Sequence, residues 1–530
     1  MRGFSNGGMI REQAERRTFL TNSRLHNAEA ALETSPTKAA ATGRPHPLLC
    51  SAAFLLSVLI LLLANSKSLP AQIQADSHAT VPPTGVPDET FWQTTIQEPW
   101  SHVPGDPVRE AILQEAHARW LAWRPLAALQ PERRDATKVR ILTDRHVTIY
   151  TDLPSTPATD ELPHVFELAL TQILDYFKLT PADYETWKIE VLLVRDSNLF
   201  SNWGALSGLP GPTPGFSNGS RIWVFDQQFD YYNRLLLIHE LVHAVMNRSF
   251  GALEPRWFAE GIAESLALHH WDGTKLELGQ KPSRLYQTPG FARLDTLNRL
   301  RYDDALPDLA TVFALTPDDF RGTKAYAIAW SFVLFLTQHE RYKDLAARMP
   351  YFMMAPNPTG QFLRLVEEAN LPLAADWSDF ILNFTEDYDF EKAQVDYTPG
   401  TLLAVGDSRT ISVSPQTGWV NSGLILESGG EYQLKPQGSF ELYDPRKMVP
   451  CDANGITKTW HAGRPTGMML FCLGNGSPAS SDYWRDTEPL RRTKRLTPAQ
   501  TGSLFLRLNV PCFDLAKNRG SIDVEVQRVK

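Results

Sequence analysis

The sequence predicts an α+β protein in which a mixed domain of helices and strands precedes an all-β sandwich, and three observations support that fold class. The chain has 530 residues, which is more than one hydrophobic core usually spans. Residues 137–397 alternate between short apolar strand patterns and amphipathic helical patterns. Residues 398–530 contain short alternating runs divided by Gly, Pro, Asn and Asp, which is typical of an antiparallel sandwich.

An apolar run near the N-terminus predicts export. Residues 48–64 read LLCSAAFLLSVLILLLA, and the leader before them, residues 1–47, is basic in character. Because basic residues stay on the cytoplasmic side of a membrane, we expect the chain after Ala64 to lie outside the cytoplasm. The run suits either a cleaved signal peptide or a single transmembrane anchor, so the protein is expected to be secreted or anchored. The leader itself is either a retained cytosolic segment or the result of a misassigned start codon.

Two further segments separate the apolar run from the mixed domain. Residues 65–88 are rich in Pro, Ser, Thr and Ala, and this composition predicts a linker. Residues 89–136 include VREAILQEAHARWLAWRPLAAL, in which apolar residues recur at helical spacing. We therefore expect a helical lead-in before the mixed domain.

The charge balance argues against a nucleic-acid partner. The formal net charge is −8, and the chain has no stripe of Lys and Arg with interleaved aromatic residues. A mildly acidic surface favours solubility and indicates no particular binding partner.

The C-terminal cysteines leave a choice of pairing open. Cys451, Cys472 and Cys512 all lie in the predicted sandwich, and an exported protein can oxidise two of them to a disulfide. The sequence does not select the pair.

A pentapeptide in the mixed domain carries the chemistry. The segment YYNRLLLIHELVHAVM predicts a helix that places His239 and His243 one turn apart on the same face, where both imidazoles can bind one ion. Glu240 is positioned to take a proton from a water molecule on that ion. This is the H-E-x-x-H pattern of zinc metallopeptidases. We therefore predict His239 and His243 as metal ligands and Glu240 as the catalytic base.

A second helical segment supplies the rest of the metal site. A catalytic zinc needs a third protein ligand and one open position, and PRWFAEGIAESLAL offers Glu260 for the ligand. Glu264 follows one turn later on the same face, where it can accept the free N–H of a ligand imidazole. A solvated helix charge is the plainer interpretation of Glu264. The prediction is one zinc ion held by His239, His243 and Glu260.

The predicted reaction is hydrolysis of a peptide bond. Zinc activates water and polarises the substrate carbonyl, and Glu240 moves the proton to the leaving amine. The oxyanion then needs a hydrogen-bond donor, for which the candidate is Tyr326 in the helical segment KAYAIAWSFVLFL. Aromatic residues on such a helix are more often part of a core.

The two motifs resemble the gluzincin group of metallopeptidases. HELVH followed by WFAEGIAESL is similar to the zinc motifs of that group, and residues 137–390 most resemble exported bacterial proteins of the peptidase MA-like type. The resemblance implies a zincin-type domain with a small sheet, an HExxH helix and a helical C-lobe. It also implies that Glu260 is the third ligand, that Glu264 supports a ligand imidazole, and that Tyr326 assists peptide hydrolysis.

One departure from the resemblance bears on the type of peptidase. Aminopeptidases of the group carry a Glu before the zinc helix that binds the substrate's amino terminus, whereas the corresponding stretch here, GFSNGSRIWVF, has none. Endopeptidase activity is therefore favoured, and an exopeptidase with another amine-binding group is the alternative. Residues Arg221 to Asp226 are hypothesised to form an edge strand that pairs with extended substrate.

The predicted sandwich resembles the lectin-like modules of exported bacterial proteins. The matching stretches are GWVNSGLILESGGEYQLKPQGSFEL and LFLRLNV…NRGSIDVEV. In calcium-binding relatives the second stretch supplies ligands, and Asn509, Asp514 and Asn518 are available here. Val510 and Lys517 stand where carboxylates are expected, so we predict no calcium site. A third functional reading is a non-catalytic surface-binding protein that works through this sandwich.

Overall fold

The structure of the chain is a computed structural model. It describes residues 138–530 except 208, 210, 212, 228, 252, 281–291, 386, 476–477, 479–482 and 485–486. The predicted leader, apolar run, linker and helical lead-in therefore lie outside the described residues. All described residues belong to one compact unit. In that part of the chain, no helix combines the length and the apolar character that crossing a membrane requires.

The first domain is built on a five-stranded mixed sheet. Its strands are β1 (Arg140–Thr143), β2 (Val147–Thr151), β3 (Ile189–Val194), β4 (Gly215–Asn218) and β5 (Arg221–Phe225). Their order is β1-β2-β3-β5-β4, with β2, β3 and β5 parallel and the two outer strands antiparallel to their neighbours. The central strand β3 is almost continuously apolar because both of its faces are covered.

The strand order corrects one sequence prediction. Residues Arg221 to Asp226 were expected at the edge of the sheet, but β5 pairs with both β3 and β4. Trp223 on β5 is buried, and its indole N–H donates to the carbonyl of Ala205 at 2.9 Å. The apolar pattern of β5 is therefore that of an inner strand. On this side of the sheet the edge strand is β4.

Helices cover the sheet and continue into a helical lobe. They are α1 (Pro157–Asp160), α2 (Leu162–Tyr176), α3 (Ser197–Asn202), α4 (Asp230–Phe250), α5 (Arg256–Ala267), α6 (Ala292–Tyr302), α7 (Leu309–Phe313), α8 (Thr323–Gln338), α9 (Lys343–Ala346), α10 (Met349–Phe352), α11 (Pro358–Glu368) and α12 (Leu373–Asn383). Short 3₁₀ turns lie at Pro181–Tyr184 and Pro317–Arg321, and the hairpin β6 (His269–Trp271) and β7 (Leu276–Leu278) follows α5. One continuous hydrophobic core joins the sheet to these helices.

Two local features fix the helices that bear the zinc motifs. Helix α4 ends at Gly251, whose φ of 72° is the left-handed conformation that glycine adopts most easily at a helix end. Helix α5 crosses α8 at very short range, because a Cβ on Gly261 would stand 2.4 Å from the carbonyl oxygen of Ala329. Only glycine at position 261 permits this approach.

The second domain is the predicted all-β sandwich. Its strands are β8 (Thr401–Leu402), β9 (Ser408–Val413), β10 (Val420–Leu426), β11 (Tyr432–Gln437), β12 (Phe440–Leu442), β13 (Val449–Cys451), β14 (Ile456–His461), β15 (Arg464–Thr466), β16 (Met469–Asn475), β17 (Glu488–Pro489), β18 (Lys494–Leu496), β19 (Gly502–Leu508), β20 (Arg519–Gly520) and β21 (Ile522–Arg528). The two main sheets have the orders β17-β16-β19-β10-β8 and β18-β11-β21-β9. Inward residues of both sheets form a single core. Mixed helices and sheets thus precede an all-β region, as the sequence predicts.

A buried polar seam joins the two domains. Asp379 on α12 accepts hydrogen bonds from the Trp419 indole at 3.0 Å and from the Arg507 guanidinium at 3.2 Å. Asp376, one turn earlier, accepts from Arg341, Tyr342 and Tyr397 at 2.8–2.9 Å. We call these two aspartates and their donors the interdomain seam.

Cys451, Cys472 and Cys512 are buried, and the described residues contain no disulfide between them, so the pairing that the sequence left open is not formed. Each sulfur has a different neighbour. The thiol of Cys451 donates to the Asp452 carbonyl at 3.4 Å, and that of Cys472 lies 3.7 Å from the Tyr483 carbonyl. The Arg507 guanidinium donates to the sulfur of Cys512 at 3.6 Å.

The polar residues considered for calcium serve the sandwich itself. The Asn509 amide donates to the carbonyls of His461, Arg464 and Pro465 at 2.9–3.1 Å. The Asn518 amide donates to the carbonyl of Asp514 at 2.6 Å. These contacts hold the β14–β15 hairpin and the 3₁₀ turn Cys512–Lys517 in place.

Candidate metal centre

Helix α4 brings two imidazoles together. His239 and His243 are separated by one helical turn and are both buried. Their Nε2 atoms lie 3.1 Å apart, and the two rings are nearly perpendicular, with an interplanar angle of 85°. The helix therefore presents two nitrogen donors that converge on one point.

Helix α5 adds a carboxylate oxygen to the same point. Glu260 Oε2 lies 3.2 Å from His243 Nε2 and 3.4 Å from His239 Nε2. Burial alone would raise the pKa of the Glu260 carboxyl, but the imidazoles of His243 and His239 outweigh it and lower that pKa. Glu260 is thus an anionic ligand candidate, and the three donors all lie within 4.8 Å of one another.

The spacing of these donors fits a metal ion. Ligand atoms about 2.1 Å from a tetrahedral ion stand about 3.4 Å from one another. The observed separations of 3.1, 3.2 and 3.4 Å are close to that value. Two imidazole nitrogens and one carboxylate oxygen are also a donor set that divalent transition metals accept.

Glu240 lies beside the donors and against the edge strand. A Cβ on Gly215 of β4 would approach Glu240 Oε1 to 2.8 Å, so the absence of a side chain there makes room for the carboxylate. Burial raises the pKa of Glu240 to about 7, against the opposing influence of His243 and of the Ser217 hydroxyl on the same strand. A carboxyl group with such a pKa can both take up and release a proton near neutral pH.

Glu264 lies behind His239. Its Oε1 is 3.4 Å from His239 Nδ1. This contact is not an aligned hydrogen bond, since Nδ1 has no hydrogen-bond partner within the described part of the chain. Burial would raise the pKa of Glu264, but the Arg293 guanidinium outweighs it and lowers that pKa. Glu264 is therefore a buried anion and not the solvated helix charge of the plainer interpretation.

Tyr326 on α8 faces the same site. Its ring centroid is 6.1 Å from that of His239. Burial raises the pKa of the Tyr326 phenol, and Glu260, Glu264 and Glu240 raise it further. The phenol consequently keeps its proton and can act as a hydrogen-bond donor.

Arg293 on α6 is a site residue that the sequence predictions missed. Its Nε and Nη2 donate to the two oxygens of Glu264 at 2.7 and 2.8 Å. Charge balance explains its presence, because Glu264 is a buried anion and Arg293 offsets its negative charge. No spacing rule links positions 264 and 293, so the sequence holds no signal for this pair.

Gly215, Ser217 and Arg256 were missed as well. The first two reach Glu240 only through the fold of β4. Arg256 Nη1 lies 3.8 Å from Glu260 Oε1. That contact has the i, i+4 spacing of helical ion pairs and was detectable from the sequence.

Comparisons with known proteins give only distant likenesses. No protein-family model and no curated protein matches the chain. An aminopeptidase N family protein from Idiomarina loihiensis is 11% identical, with a TM-score of 0.29, and the match covers 74% of this chain and 69% of that one. The IMPa structure from Pseudomonas aeruginosa in complex with an O-glycopeptide is 12% identical, with a TM-score of 0.14, over 66% of this chain and 38% of that one.

The sandwich has a likeness of its own. The N-terminal domain of EclA, described as a PllA-like lectin, is 18% identical, with a TM-score of 0.17, over 23% of this chain and 94% of that domain. None of these scores is high enough to establish a shared fold.

Proposed function

We propose that this chain is a zinc-dependent peptidase that cleaves within peptide chains. The observation that carries the proposal is the convergence of His239 Nε2, His243 Nε2 and Glu260 Oε2, at separations of 3.1–3.4 Å, next to the buried carboxylate of Glu240. A purely structural ion has no use for a protonatable carboxylate beside its three ligands.

Each residue has a distinct part in the proposed reaction. Zinc, when bound by His239, His243 and Glu260, supplies Lewis-acid polarisation of the scissile carbonyl and activation of water. Glu240 accepts a proton from the attacking water and delivers it to the nitrogen of the leaving amine. The Tyr326 phenol donates a hydrogen bond to the oxygen on which negative charge develops.

The edge strand β4 supports cleavage within chains. An extended peptide can add to β4 by backbone hydrogen bonds, which need no free terminus. Glu240 lies against Gly215 of the same strand, so a peptide on this edge would pass close to the base. The sequence of β4, GFSN, also has no carboxylate to bind a substrate's amino group. We propose further that the substrate is met outside the cytoplasm, as the N-terminal apolar run predicts.

The decisive experiment compares wild type with Glu240→Gln. We expect about one zinc per chain in both proteins, and a loss of casein cleavage on the order of 10²- to 10⁴-fold in the variant. Glu367→Gln on the exposed face of α11 is the matched control and should cleave at the wild-type rate. Loss of zinc from His239→Ala checks the ligand assignment independently.

Three outcomes would contradict the proposal in different ways. If wild type binds zinc but cleaves no member of a peptide library, the non-catalytic surface-binding alternative is favoured. If only peptides with a free amino terminus are cleaved and N-blocked, internally quenched peptides are not, the enzyme is an exopeptidase. If His239→Ala retains full zinc stoichiometry, the metal site lies elsewhere.

A further inference from the structure

The guanidinium of Arg293 contacts two groups of the candidate metal centre at once. Its Nε and Nη2 form a two-pronged contact with both oxygens of Glu264. Its central carbon also lies 4.8 Å from the ring centroid of Tyr326. Glu264 is on α5 and Tyr326 on α8, so one side chain from α6 joins two helices that contribute to the site.

The planar fork of arginine suits this double contact. It matches the two oxygens of a carboxylate, and its face can stack on an aromatic ring at the same time. The guanidinium is shielded, since the Arg293 side chain is 21% exposed and that of Glu264 6%. A contact removed from water in this way restricts both partners more strongly than a surface ion pair would.

The consequence for Glu264 concerns the direction of its carboxylate. With Oε2 and Oε1 both engaged by Arg293, Oε1 remains 3.4 Å from His239 Nδ1. At this distance the contact is an electrostatic one without an aligned hydrogen bond, and a carboxylate held beside the nitrogen that does not bind the metal favours one orientation of the imidazole ring. The consequence for Tyr326 is a fixed ring plane, since Phe320 packs on the ring at 5.0 Å and Arg293 lies over it.

We propose that Arg293 is the positioning residue of the centre, which aligns His239 through Glu264 and holds the Tyr326 phenol for the oxyanion. This inference rests on the proposed function. Arg293 is expected to have two separable effects. Alignment of His239 governs metal affinity, whereas alignment of Tyr326 governs the rate of the chemical step.

The test uses Arg293→Met in the full-length zinc protein. We expect zinc affinity, measured by chelator competition, to fall about 10- to 100-fold, and kcat to fall by at least a similar factor with KM little changed. The visible spectrum of the cobalt-substituted protein should also shift, because the ligand field of His239 changes. Arg293→Lys keeps the charge without the fork and should recover only part of the loss. Arg299→Ala, an exposed arginine on the same helix, is the matched control.

Two double variants show which effect of Arg293 acts through Glu264 and which acts through Tyr326. In a Glu264→Gln background, Arg293→Met should cost no further zinc affinity. In a Tyr326→Phe background, it should retain its effect on zinc affinity and lose most of its additional effect on kcat at saturating zinc.

The outcomes distinguish this inference from the proposed function. If wild type cleaves peptides and binds zinc while Arg293→Met keeps the wild-type zinc affinity, cobalt spectrum and kcat, the positioning role is wrong and the peptidase proposal stands. If Arg293→Met lowers only the melting temperature, Arg293 is merely structural. A wild type that binds no zinc overturns the proposed function itself.

Discussion

The candidate metal centre and the interdomain seam both bury acidic side chains, but the hydrogen-bond donors and positive charges around those side chains differ. At the seam, Asp379 accepts from Trp419 and Arg507, and Asp376 accepts from an arginine and two tyrosines. At the metal centre, Arg293 donates to both oxygens of Glu264, whereas Glu260 has a longer contact with Arg256, at 3.8 Å. Within the described residues, only the glutamates lie where imidazole donors converge.

This difference identifies what marks a functional site. Burial raises the pKa of Asp379 and Asp376 just as it raises that of Glu240. A raised carboxyl pKa is therefore no sign of catalysis in this molecule. The informative feature is an excess of negative charge that the protein's own donors leave uncompensated, which creates a place for a cation.

The largest expected effect that separates the two regions comes from Asp379→Ala. The change leaves the Arg507 guanidinium, whose side chain is 3% exposed, without its counter-charge. We expect the free energy of unfolding to fall by about 3–5 kcal/mol, with zinc stoichiometry unchanged in the folded fraction. Urea titration and metal analysis measure the two quantities. Asp523→Ala on the exposed face of β21 is the control.

A paired replacement checks the physical reason. The double variant Asp379→Leu with Arg507→Leu removes both charges and should recover most of the lost stability. If the single variant instead loses zinc without losing stability, the seam acts on the metal centre and the contrast between the two regions fails.

The sequence reveals those parts of the site that lie along helices. Helical periodicity places His239 and His243 on one face of α4 and Glu260 and Glu264 on one face of α5, and the segment with Tyr326 is helical as predicted. The alternation of apolar and polar residues after position 398 likewise predicts strands, because a strand such as β21 buries one face and exposes the other.

Contacts between distant elements could not be predicted in this way. Arg293 meets Glu264 because α6 packs beside α5, and nothing in either segment encodes that approach. The edge strand was misassigned because residues 203–220 are rich in Gly and Pro and indicate a loop, so only the pairing of β4 with β5 shows that β5 is internal. The absence of a disulfide among the three described cysteines reflects the same limit, since spacing along the chain does not give the distance between sulfurs.

A smaller effect is expected from Gly261→Ala, and it tests whether the metal centre depends on helix packing in a way that the seam does not. The new Cβ would stand 2.4 Å from Ala329 O and 2.5 Å from Val333 Cγ2, so α5 and α8 must separate. We expect a loss of about 1–3 kcal/mol in unfolding free energy together with a reduced kcat, because Glu260 and Tyr326 move apart. Gly322→Ala, which meets open space, should change neither quantity. Unchanged activity despite the lost stability would mean that the donors tolerate the shift.

The smallest predicted effect is the contribution of His269 to the loss of stability in acid. This contribution must be known before the metal centre and the interdomain seam are compared at low pH. His269 lies outside both regions, and burial lowers its pKa from 6.5 to about 4. Its Nδ1 donates to the Ala267 carbonyl at 2.8 Å, and Arg234 donates to Nε2 at 3.4 Å, so the folded ring is neutral. The unfolded chain binds this proton more tightly, so the contribution of His269 to stability is present above pH 6.5 and is lost as the pH falls towards 4.

In the metal-free protein we expect His269→Gln to remove about 1 kcal/mol of the stability difference between pH 7.5 and 5.5. Its exposed neighbour His270→Gln is the control, and equal acid sensitivity of the two variants would show that another group is responsible.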